Sequence, residues 1–366
     1  MEIAVGERGM KQMTKTMNAL VHDGQGHARL MKRPVPVVES STDAVVRVTL
    51  STICTSDLHI LHGAVPRAQA DTVLGHEFVG EVVAVGEKVQ TIRPGDRVAA
   101  NCITFCGDCW FCRRGYINNC VHGGWELGCR IDGCQAEYVR VPFADQGLTR
   151  IPNGVTDEGA LFVGDILASG YFGAELCAIQ PGDTVAVIGA GPVGLCAMQC
   201  ARLLGAQTVV ALEIDPWRRQ FAAAQGLADR IVDPGREDAQ GILASLTDGR
   251  GADGVIEAAG GADTFSLAWR IARPNGTVAL VAMYEKNQVL PLPVMYGKNL
   301  TFKTGGVDAV HSARLLDWIA QGKLSTDYLI THRGPLNEIL EGYRVFGGRE
   351  EPCLKWAVTP WEGEQA

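Results

Sequence analysis

Residues 181–215 read PGDTVAVIGAGPVGLCAMQCARLLGAQTVVALEID, which is an apolar strand, a glycine turn, a helix and a second apolar strand. The first glycine of the turn allows a tight bend, the second the close approach of a pyrophosphate, and the third the contact between helix and strand. The free N–H groups at the helix start can hold phosphate oxygens. This context predicts a dinucleotide site lined by Gly189, Gly191, Pro192, Val193 and Gly194.

Glu213 follows the second strand and predicts which dinucleotide is bound. A carboxylate at that place can accept hydrogen bonds from the adenosine ribose hydroxyls and repels a 2′-phosphate, which favours NAD over NADP. Two alternatives stay open. Glu213 can instead be a solvated loop acid. Alternatively, Arg218 or Arg219 can receive a phosphate, and we include Arg218 among the cofactor-binding residues.

Strand-like and helical stretches alternate beyond residue 215, which predicts a parallel, doubly wound sheet. The first 165 residues are different, because short strand-like runs there are separated by glycine and proline turns. The tail ends in the strand-like CLKWAV. We therefore predict a first domain over residues 1–167, with residues 1–17 as a flexible leader, a nucleotide-binding domain over 168–307, and a return to the first domain over 308–366.

Residues 105–120 read FCGDCWFCRRGYINNC, with four cysteines spaced C-x2-C-x2-C-x7-C. Four thiolates at this spacing can converge on one tetrahedral zinc, and such a closed site braces a fold and does not react. An iron–sulfur cluster or four unligated thiols are the alternatives. Twelve cysteines in 366 residues are too few for a disulfide scaffold. The spacing favours a structural zinc held by Cys106, Cys109, Cys112 and Cys120.

Composition excludes some classes of protein. A net charge of −8 without a lysine- or arginine-rich run offers no surface for a nucleic-acid backbone. The amino terminus lacks the apolar core of a signal peptide, and no stretch approaches the ~20 apolar residues that span a bilayer. We therefore predict a cytoplasmic protein that binds neither nucleic acid nor membranes.

Several motifs in order, namely STICTSDLHI, LGHEFVGEVVAVG, the four-cysteine loop, GDILASGYFGAEL and VIGAGPVGL, resemble the zinc-dependent medium-chain alcohol dehydrogenases. The resemblance covers about residues 18–359. It implies an α/β fold in which a catalytic domain, a GroES-like partial β-barrel, carries an inserted Rossmann domain. It also implies a cleft between the two and about two zinc ions per chain.

Carried over to this chain, the resemblance implies a catalytic zinc held by Cys54, His76 and Asp165, with Glu77 alternating with water or substrate. Each residue alone has an ordinary structural explanation. Cys54 can be a buried thiol, His76 a core histidine, Asp165 a helix-capping acid and Glu77 a paired surface carboxylate. Asp165 departs from much of the family, which has cysteine there, and resembles the bacterial secondary-alcohol dehydrogenases. Zinc with one thiolate and one carboxylate is formally neutral, and we expect Glu77 to bring the site to −1.

The resemblance also implies a proton path, in which Ser56 passes the proton of the alcohol toward His59. A helix N-cap and an exposed helical histidine are the respective alternatives. Trp125 matches a tryptophan that lines the substrate pocket in the secondary-alcohol dehydrogenases, although a core tryptophan is equally consistent with the sequence. We expect unpaired thiols at the remaining cysteines, which are Cys102, Cys129, Cys134, Cys177, Cys196, Cys200 and Cys353.

These features predict an NAD-dependent alcohol dehydrogenase that acts on secondary alcohols and their ketones. A polyol, sugar-alcohol or formaldehyde-processing dehydrogenase of the same family is the alternative substrate assignment. A zinc-braced NAD(H)-binding protein without catalysis is the alternative from another class. Members of the family are commonly dimers or tetramers, so a homodimer or homotetramer is expected.

Overall fold

The structure is a computed structural model that describes residues 15–348 and 351–361. Most of the predicted leader, residues 1–14, lies outside the described residues. The leader was predicted to extend to residue 17, and this limit was wrong. The first strand begins at Thr16 and buries Met17, because alternate side chains of this strand pack into an apolar cluster.

The amino-terminal part is rich in short strands, as predicted. Its strands and helices are β1 (Thr16–His22), β2 (Ala28–Pro34), β3 (Ala44–Thr52), α1 (Thr55–Leu61), β4 (Thr72–Val73), β5 (Phe78–Val85), β6 (Arg97–Ala100), β7 (Tyr138–Val141), α2 (Ala144–Gly147), β8 (Leu148–Arg150) and α3 (Asp157–Ala160). Antiparallel pairing joins β3 to β5 and β7, and β6 to β5 and β8. Valines of β3 and β5 fill the core beneath this sheet.

The middle of the chain alternates between helices and strands. Its elements are α4 (Ile166–Leu176), β9 (Thr184–Ile188), α5 (Pro192–Leu203), β10 (Thr208–Leu212), α6 (Pro216–Ala224), β11 (Arg230–Val232), α7 (Ala239–Leu246), β12 (Ala252–Glu257), α8 (Thr264–Ile271), β13 (Ala272–Leu280), α9 (Leu292–Met295) and β14 (Thr301–Thr304). They form a six-stranded parallel sheet of order β11-β10-β9-β12-β13-β14. The order reverses between β9 and β12, which is where such sheets bind dinucleotides.

The carboxyl-terminal part returns to the first sheet. Its elements are α10 (Ser312–Ala320), β15 (Ile330–Pro335), α11 (Ile339–Gly348) and β16 (Lys355–Thr359). β16 pairs in parallel with β15 and antiparallel with β3, so the carboxyl-terminal strands complete the larger sheet of the first part. This arrangement confirms the predicted fold class, while the domain limits at residues 167 and 307 remain predictions. Short 3₁₀ turns occupy Cys112–Arg114, Ile117–Asn119, Tyr296–Lys298, Asp327–Leu329 and Leu336–Glu338.

One helix pair links the segment of Asp165 to the glycine turn. α4 and α5 cross so closely that a Cβ atom on Gly170 would come within 2.6 Å of the backbone nitrogen of Ala197. Asp165 lies directly before α4, and the glycine turn lies directly before α5. A displacement of Asp165 or of the glycine turn would therefore disturb this contact. No helix in the described part of the chain has both the length and the apolar character needed to cross a bilayer.

Candidate metal and nucleotide sites

Four side chains from three segments meet in one cluster: Cys54, His76, Glu77 and Asp165. Cys54 precedes α1, His76 and Glu77 precede β5, and Asp165 precedes α4. One ligand atom from each lies within 4.8 Å of all the others. The structure therefore brings together the four residues that the resemblance implied.

Asp165 occupies the N-cap position of α4 but makes no side-chain capping hydrogen bond. An aspartate at this position ordinarily accepts a hydrogen bond from the backbone of the first turn. Its Oδ2 instead lies 3.2 Å from His76 Nε2 and 4.0 Å from Cys54 Sγ. Burial would raise the pKa of Asp165, but the hydrogen bond with His76 lowers it below its ordinary value. The helix-capping reading is therefore not supported, and the carboxylate is available to a ligand.

His76 is held from its other side by the fully buried Asp57, whose carboxylate lies 3.5 Å from His76 Nδ1. Burial would lower the pKa of His76, whereas the hydrogen bond with Asp165 and the negative charge of the nearby Asp57 raise it well above the ordinary value. Neither His76 Nδ1 nor Asp57 Oδ1 has a hydrogen-bond partner among the described residues. A carboxylate behind a histidine is the usual arrangement where the opposite ring nitrogen binds a metal.

Glu77 forms a buried ion pair with Lys355, a residue that the sequence did not indicate. Burial raises the pKa of Glu77, and Lys355 opposes that rise. The second carboxylate oxygen, Oε2, is buried and has no partner among the described residues. The zinc site with Glu77 bound was expected to carry a charge of −1. Lys355 corrects this expectation, because its +1 offsets the −1 that Glu77 adds.

Ser56 and His59 both lie on α1, but they face different neighbours. Ser56 Oγ lies 3.1 Å from Cys54 Sγ and 3.3 Å from His76 Nε2. The N-cap of α1 is Cys54, so the capping alternative for Ser56 is not supported. His59 Nδ1 lies 3.6 Å from Glu285 Oε1, which belongs to the loop after β13. No direct hydrogen bond joins Ser56 to His59 within residues 15–348 and 351–361.

Trp125 is half-buried beside the cluster. Its ring meets the His76 ring edge-on, with 5.5 Å between the ring centroids, and Arg67 lies over its other side at 5.3 Å. The structure thus places Trp125 against a candidate ligand, where an aromatic wall can border the substrate.

The four cysteines of the 106–120 loop converge at a second place. Cys109 and Cys112 have sulfurs 3.5 Å apart, and the sulfurs of Cys106 and Cys120 are 3.6 Å apart. These separations are too long for a disulfide and close to the ~3.8 Å edge of a tetrahedron with 2.3 Å zinc–sulfur bonds. Backbone N–H groups that point at the sulfur lower the pKa of Cys109 to about 6. None of the twelve cysteines forms a disulfide.

The glycine turn has the geometry that the sequence predicts. Gly189 has a φ of 97°, in the left-handed region, and a Cβ on Gly194 would come within 1.9 Å of the Gly189 carbonyl oxygen. Around Gly191, the N-cap of α5, the nearest atom to an added Cβ is Arg218 Nη1 at 3.6 Å. The guanidinium of Arg218 therefore lies directly beside the turn.

Glu213 is buried at the end of β10 and is not a solvated loop acid. Its two carboxylate oxygens accept hydrogen bonds from the backbone N–H groups of Ala190, at 2.7 Å, and Asp215, at 2.8 Å. Arg219 forms an ion pair with Asp233 at 3.0 Å, whereas Arg218 has no ion-pair partner in the described part of the chain. Of the two arginines, Arg218 is the one available to a ligand.

Both clusters fit zinc by the chemistry of their donors. A closed set of four thiolates suits a structural ion, while thiolate, imidazole and carboxylate leave a position for substrate. The unpartnered Oε2 of Glu77 and the uncapped carboxylate of Asp165 are buried acceptors that a cation would satisfy.

The chain matches two family models, the alcohol dehydrogenase GroES-like domain over residues 40–153 and the zinc-binding dehydrogenase domain over 192–319. An alcohol dehydrogenase of Cupriavidus necator is 36% identical over 95% of this chain and its own full length. The NADP-dependent isopropanol dehydrogenase of Thermoanaerobacter brockii is 35% identical over 79% of this chain and 84% of its own. The structure of alcohol dehydrogenase TADH from Thermus sp. ATN1 superposes with a TM-score of 0.87 at 38% identity, over 94% of this chain and 99% of that one.

The first family model covers Cys54, His76, Glu77 and the four-cysteine loop, and the second begins at Pro192, within the glycine turn. The chain is more than 30% identical to the Cupriavidus and Thermus enzymes over nearly their whole lengths, and its fold superposes on the Thermus structure. These two findings assign the family. The chain belongs to the zinc-dependent medium-chain alcohol dehydrogenase family and is a zinc-dependent alcohol oxidoreductase.

Proposed function

We propose that this enzyme transfers hydride reversibly between a secondary alcohol and NAD, with zinc held by Cys54, His76 and Asp165. The observation that carries the proposal is the convergence of these three side chains, with Asp165 withheld from its helix cap. Glu77 is the ligand that exchanges, because one of its oxygens is already engaged by Lys355 while the other remains free toward the cluster.

Zinc at this cluster supplies a Lewis acid that lowers the pKa of an alcohol hydroxyl toward working pH, and NAD supplies the carbon that accepts hydride. Ser56 accepts the hydroxyl proton, because its Oγ lies beside both Cys54 and His76 and a hydroxyl can accept and donate at once. His59 receives the proton next. Since no bond joins Ser56 to His59 directly, an intervening hydroxyl or water must connect them.

Trp125 and the GroES-like domain border the substrate in this proposal. The indole lies edge-on to His76 and presents a flat apolar surface beside the reacting atoms. Such a wall accommodates small alkyl groups and offers no charge to an ionic substrate. The dehydrogenase from Thermoanaerobacter brockii, named for isopropanol, supports the assignment to small secondary alcohols.

Glu213 supports NAD over NADP. Its buried carboxylate is held by two backbone N–H groups, so it is fixed where the adenosine ribose is expected to lie, and each oxygen retains a lone pair for a ribose hydroxyl. A 2′-phosphate there would meet a like charge. Arg218, whose Nη1 lies 3.6 Å from a Cβ placed on Gly191, would contact the pyrophosphate at the glycine turn. The dehydrogenase from Thermoanaerobacter brockii is NADP-dependent, so the preference for NAD is proposed for this chain and not for that relative.

A second zinc, held by the four cysteines of the 106–120 loop, braces the first domain. Asn118 within this loop donates a hydrogen bond of 2.8 Å to the carbonyl of Gly306, where the chain leaves the parallel sheet. The loop therefore also supports the connection between the two sheets, and we expect about two zinc ions per chain.

Self-association into a dimer or tetramer is also proposed. β14 ends the six-stranded sheet, and the residues before it carry exposed apolar side chains, which are Val289, Leu290, Leu292, Val294 and Tyr296. An edge strand beside an exposed apolar patch is typical of a contact surface.

A panel of primary and secondary alcohols and their carbonyl products, assayed with NAD and NADP, tests the function. We expect the highest kcat/KM for small secondary alcohols with NAD. Cys54→Ser is the control, because it weakens a zinc ligand while leaving the glycine turn unchanged. Full cofactor reduction in that variant, or a preference for charged or polyol substrates, would contradict the proposal.

A further inference from the structure

Gln135 is a fully buried amide within an apolar cluster that includes Ile53, Leu74 and Trp356. Its backbone is fixed on both sides, since its N–H donates to Leu74 O at 2.9 Å and its carbonyl accepts from Leu20 N at 2.9 Å. The preceding residue, Cys134, donates its N–H to Gly75 O at 3.0 Å. Gln135 is thus anchored to the segment that ends in the ligand His76.

The orientation of the Gln135 amide follows from its neighbours. Nε2 lies 3.0 Å from Asp57 Oδ2 and 3.3 Å from Thr52 O, and neither oxygen can donate. The amide nitrogen must therefore face these two acceptors. Oε1 then faces Tyr343, whose hydroxyl donates to it at 2.8 Å. The hydroxyl of Tyr343, on α11, is thus the donor that satisfies Oε1 in this orientation.

Asp57 connects this pair to the metal cluster. Its Oδ2 accepts from Gln135 and also from the backbone N–H of Cys54 at 2.9 Å, while its other oxygen faces His76 Nδ1 at 3.5 Å. Asp57 Oδ1 and His76 Nδ1 have no other partner among the described residues. The rotation of the Asp57 carboxylate therefore sets how the imidazole is held, and Gln135 together with the Cys54 N–H sets that rotation.

We propose that Gln135, oriented by Tyr343, is a positioning residue for the ligand His76 and acts through Asp57. This inference rests on the proposed zinc site. Without the tyrosine hydroxyl, Oε1 is buried without a donor, so the amide is held less firmly in place. Its hydrogen bond to Asp57 then weakens, and the hold of Asp57 on the imidazole loosens. Partners behind a metal-binding histidine commonly change metal affinity by about 10- to 100-fold, and we expect the lower end for a group one bond further away.

The test uses Tyr343→Phe and Gln135→Leu in the full-length enzyme. Tyr328→Phe is the matched control, because the Tyr328 hydroxyl also bonds a glutamine, Gln199, at 2.6 Å but away from the metal cluster. Zinc release to a chelator is followed, and the visible spectrum of the cobalt-substituted enzyme reports the ligand field. Both test variants should release the cleft metal about 10-fold faster and shift the cobalt spectrum, whereas Tyr328→Phe should do neither.

The double variant separates positioning from packing. Because Tyr343 acts only through Gln135, Tyr343→Phe should add nothing to the release rate in the Gln135→Leu background. Additive effects, or a Tyr343→Phe spectrum equal to the parent spectrum, would overturn the positioning role. Should Gln135→Leu fail to fold, Tyr343→Phe against its control decides alone. A parent enzyme that binds no metal in the cleft would instead refute the proposed zinc site.

Discussion

Lys355 Nζ contacts the Glu77 carboxylate in a place where both side chains are almost completely buried, 2% and 1% exposed respectively. Nζ also donates a hydrogen bond of 3.2 Å to the carbonyl of Ile53, the residue before Cys54. Burial would lower the pKa of Lys355, but the nearby Cys54 and Glu77 raise it above its ordinary value. One lysine on the returning strand β16 thus joins two candidate zinc ligands.

Replacement of Lys355 by methionine should lower the free energy of unfolding by about 3 kcal/mol, because it leaves Glu77 buried without its counter-charge. Denaturant titration of the zinc-loaded enzyme measures this loss. The companion variant Lys355→Met/Glu77→Gln removes both charges and should recover much of the stability. Unchanged stability of the single variant would show that the pair does not form.

Replacement of Ser56 by alanine should lower kcat by about 100-fold or more, because the first proton acceptor is removed, while the affinity for NAD stays the same. Steady-state rates and a separate NAD-binding titration measure the two quantities. Ser56→Thr keeps the hydroxyl and is the control. Equal turnover of the alanine variant and the parent would remove Ser56 from the proton path.

Replacement of Glu213 by glutamine should raise the ratio of kcat/KM for NADP to that for NAD by about 10-fold, because it removes a like charge beside the 2′-phosphate. The amide oxygen can still accept one of the two backbone hydrogen bonds. Arg218→Ala in the same background should weaken the binding of both cofactors alike, because Arg218 lies beside the turn that would hold the pyrophosphate they share. A parent enzyme that already prefers NADP would contradict the cofactor assignment.

His22 predicts a pH dependence of stability away from the active site. It is buried in β1, and burial lowers its pKa below the ordinary value of 6.5. Below about pH 6.5 the unfolded chain therefore binds a proton that the folded chain does not, so the free energy of unfolding falls as pH decreases through this range. His22→Phe should lose less stability between pH 7.5 and 5.5 than the parent does in urea titrations. An identical loss in both proteins would contradict this role.

The features that the sequence predicted well are those whose parts are close together in the chain. The glycine turn and the cysteine loop each lie within 16 consecutive residues, so spacing alone indicates convergence. His76 and Asp165 are 89 residues apart, and only resemblance to a family joined them before the structure did.

Other features had no signal in the sequence. Lys355 is separated from Glu77 by 278 residues and Tyr343 from Gln135 by 208, and neither pair belongs to a local motif. A lysine in an apolar strand and a glutamine before AEYV would each be expected at the surface. Whether such a group is buried with a partner depends on how β16 and α11 pack against the first domain. The periodicity of the sequence carries no information about this packing.

We propose that the reaction depends on a zinc ion bound by Cys54, His76 and Asp165. A crystal of the active enzyme measured at the zinc absorption edge tests this dependence directly. We expect two anomalous peaks per chain, one among the four cysteines of the 106–120 loop and one about 2.3 Å from Cys54 Sγ. A single peak, confined to the cysteine loop, in crystals of enzyme that still oxidises alcohol would contradict it.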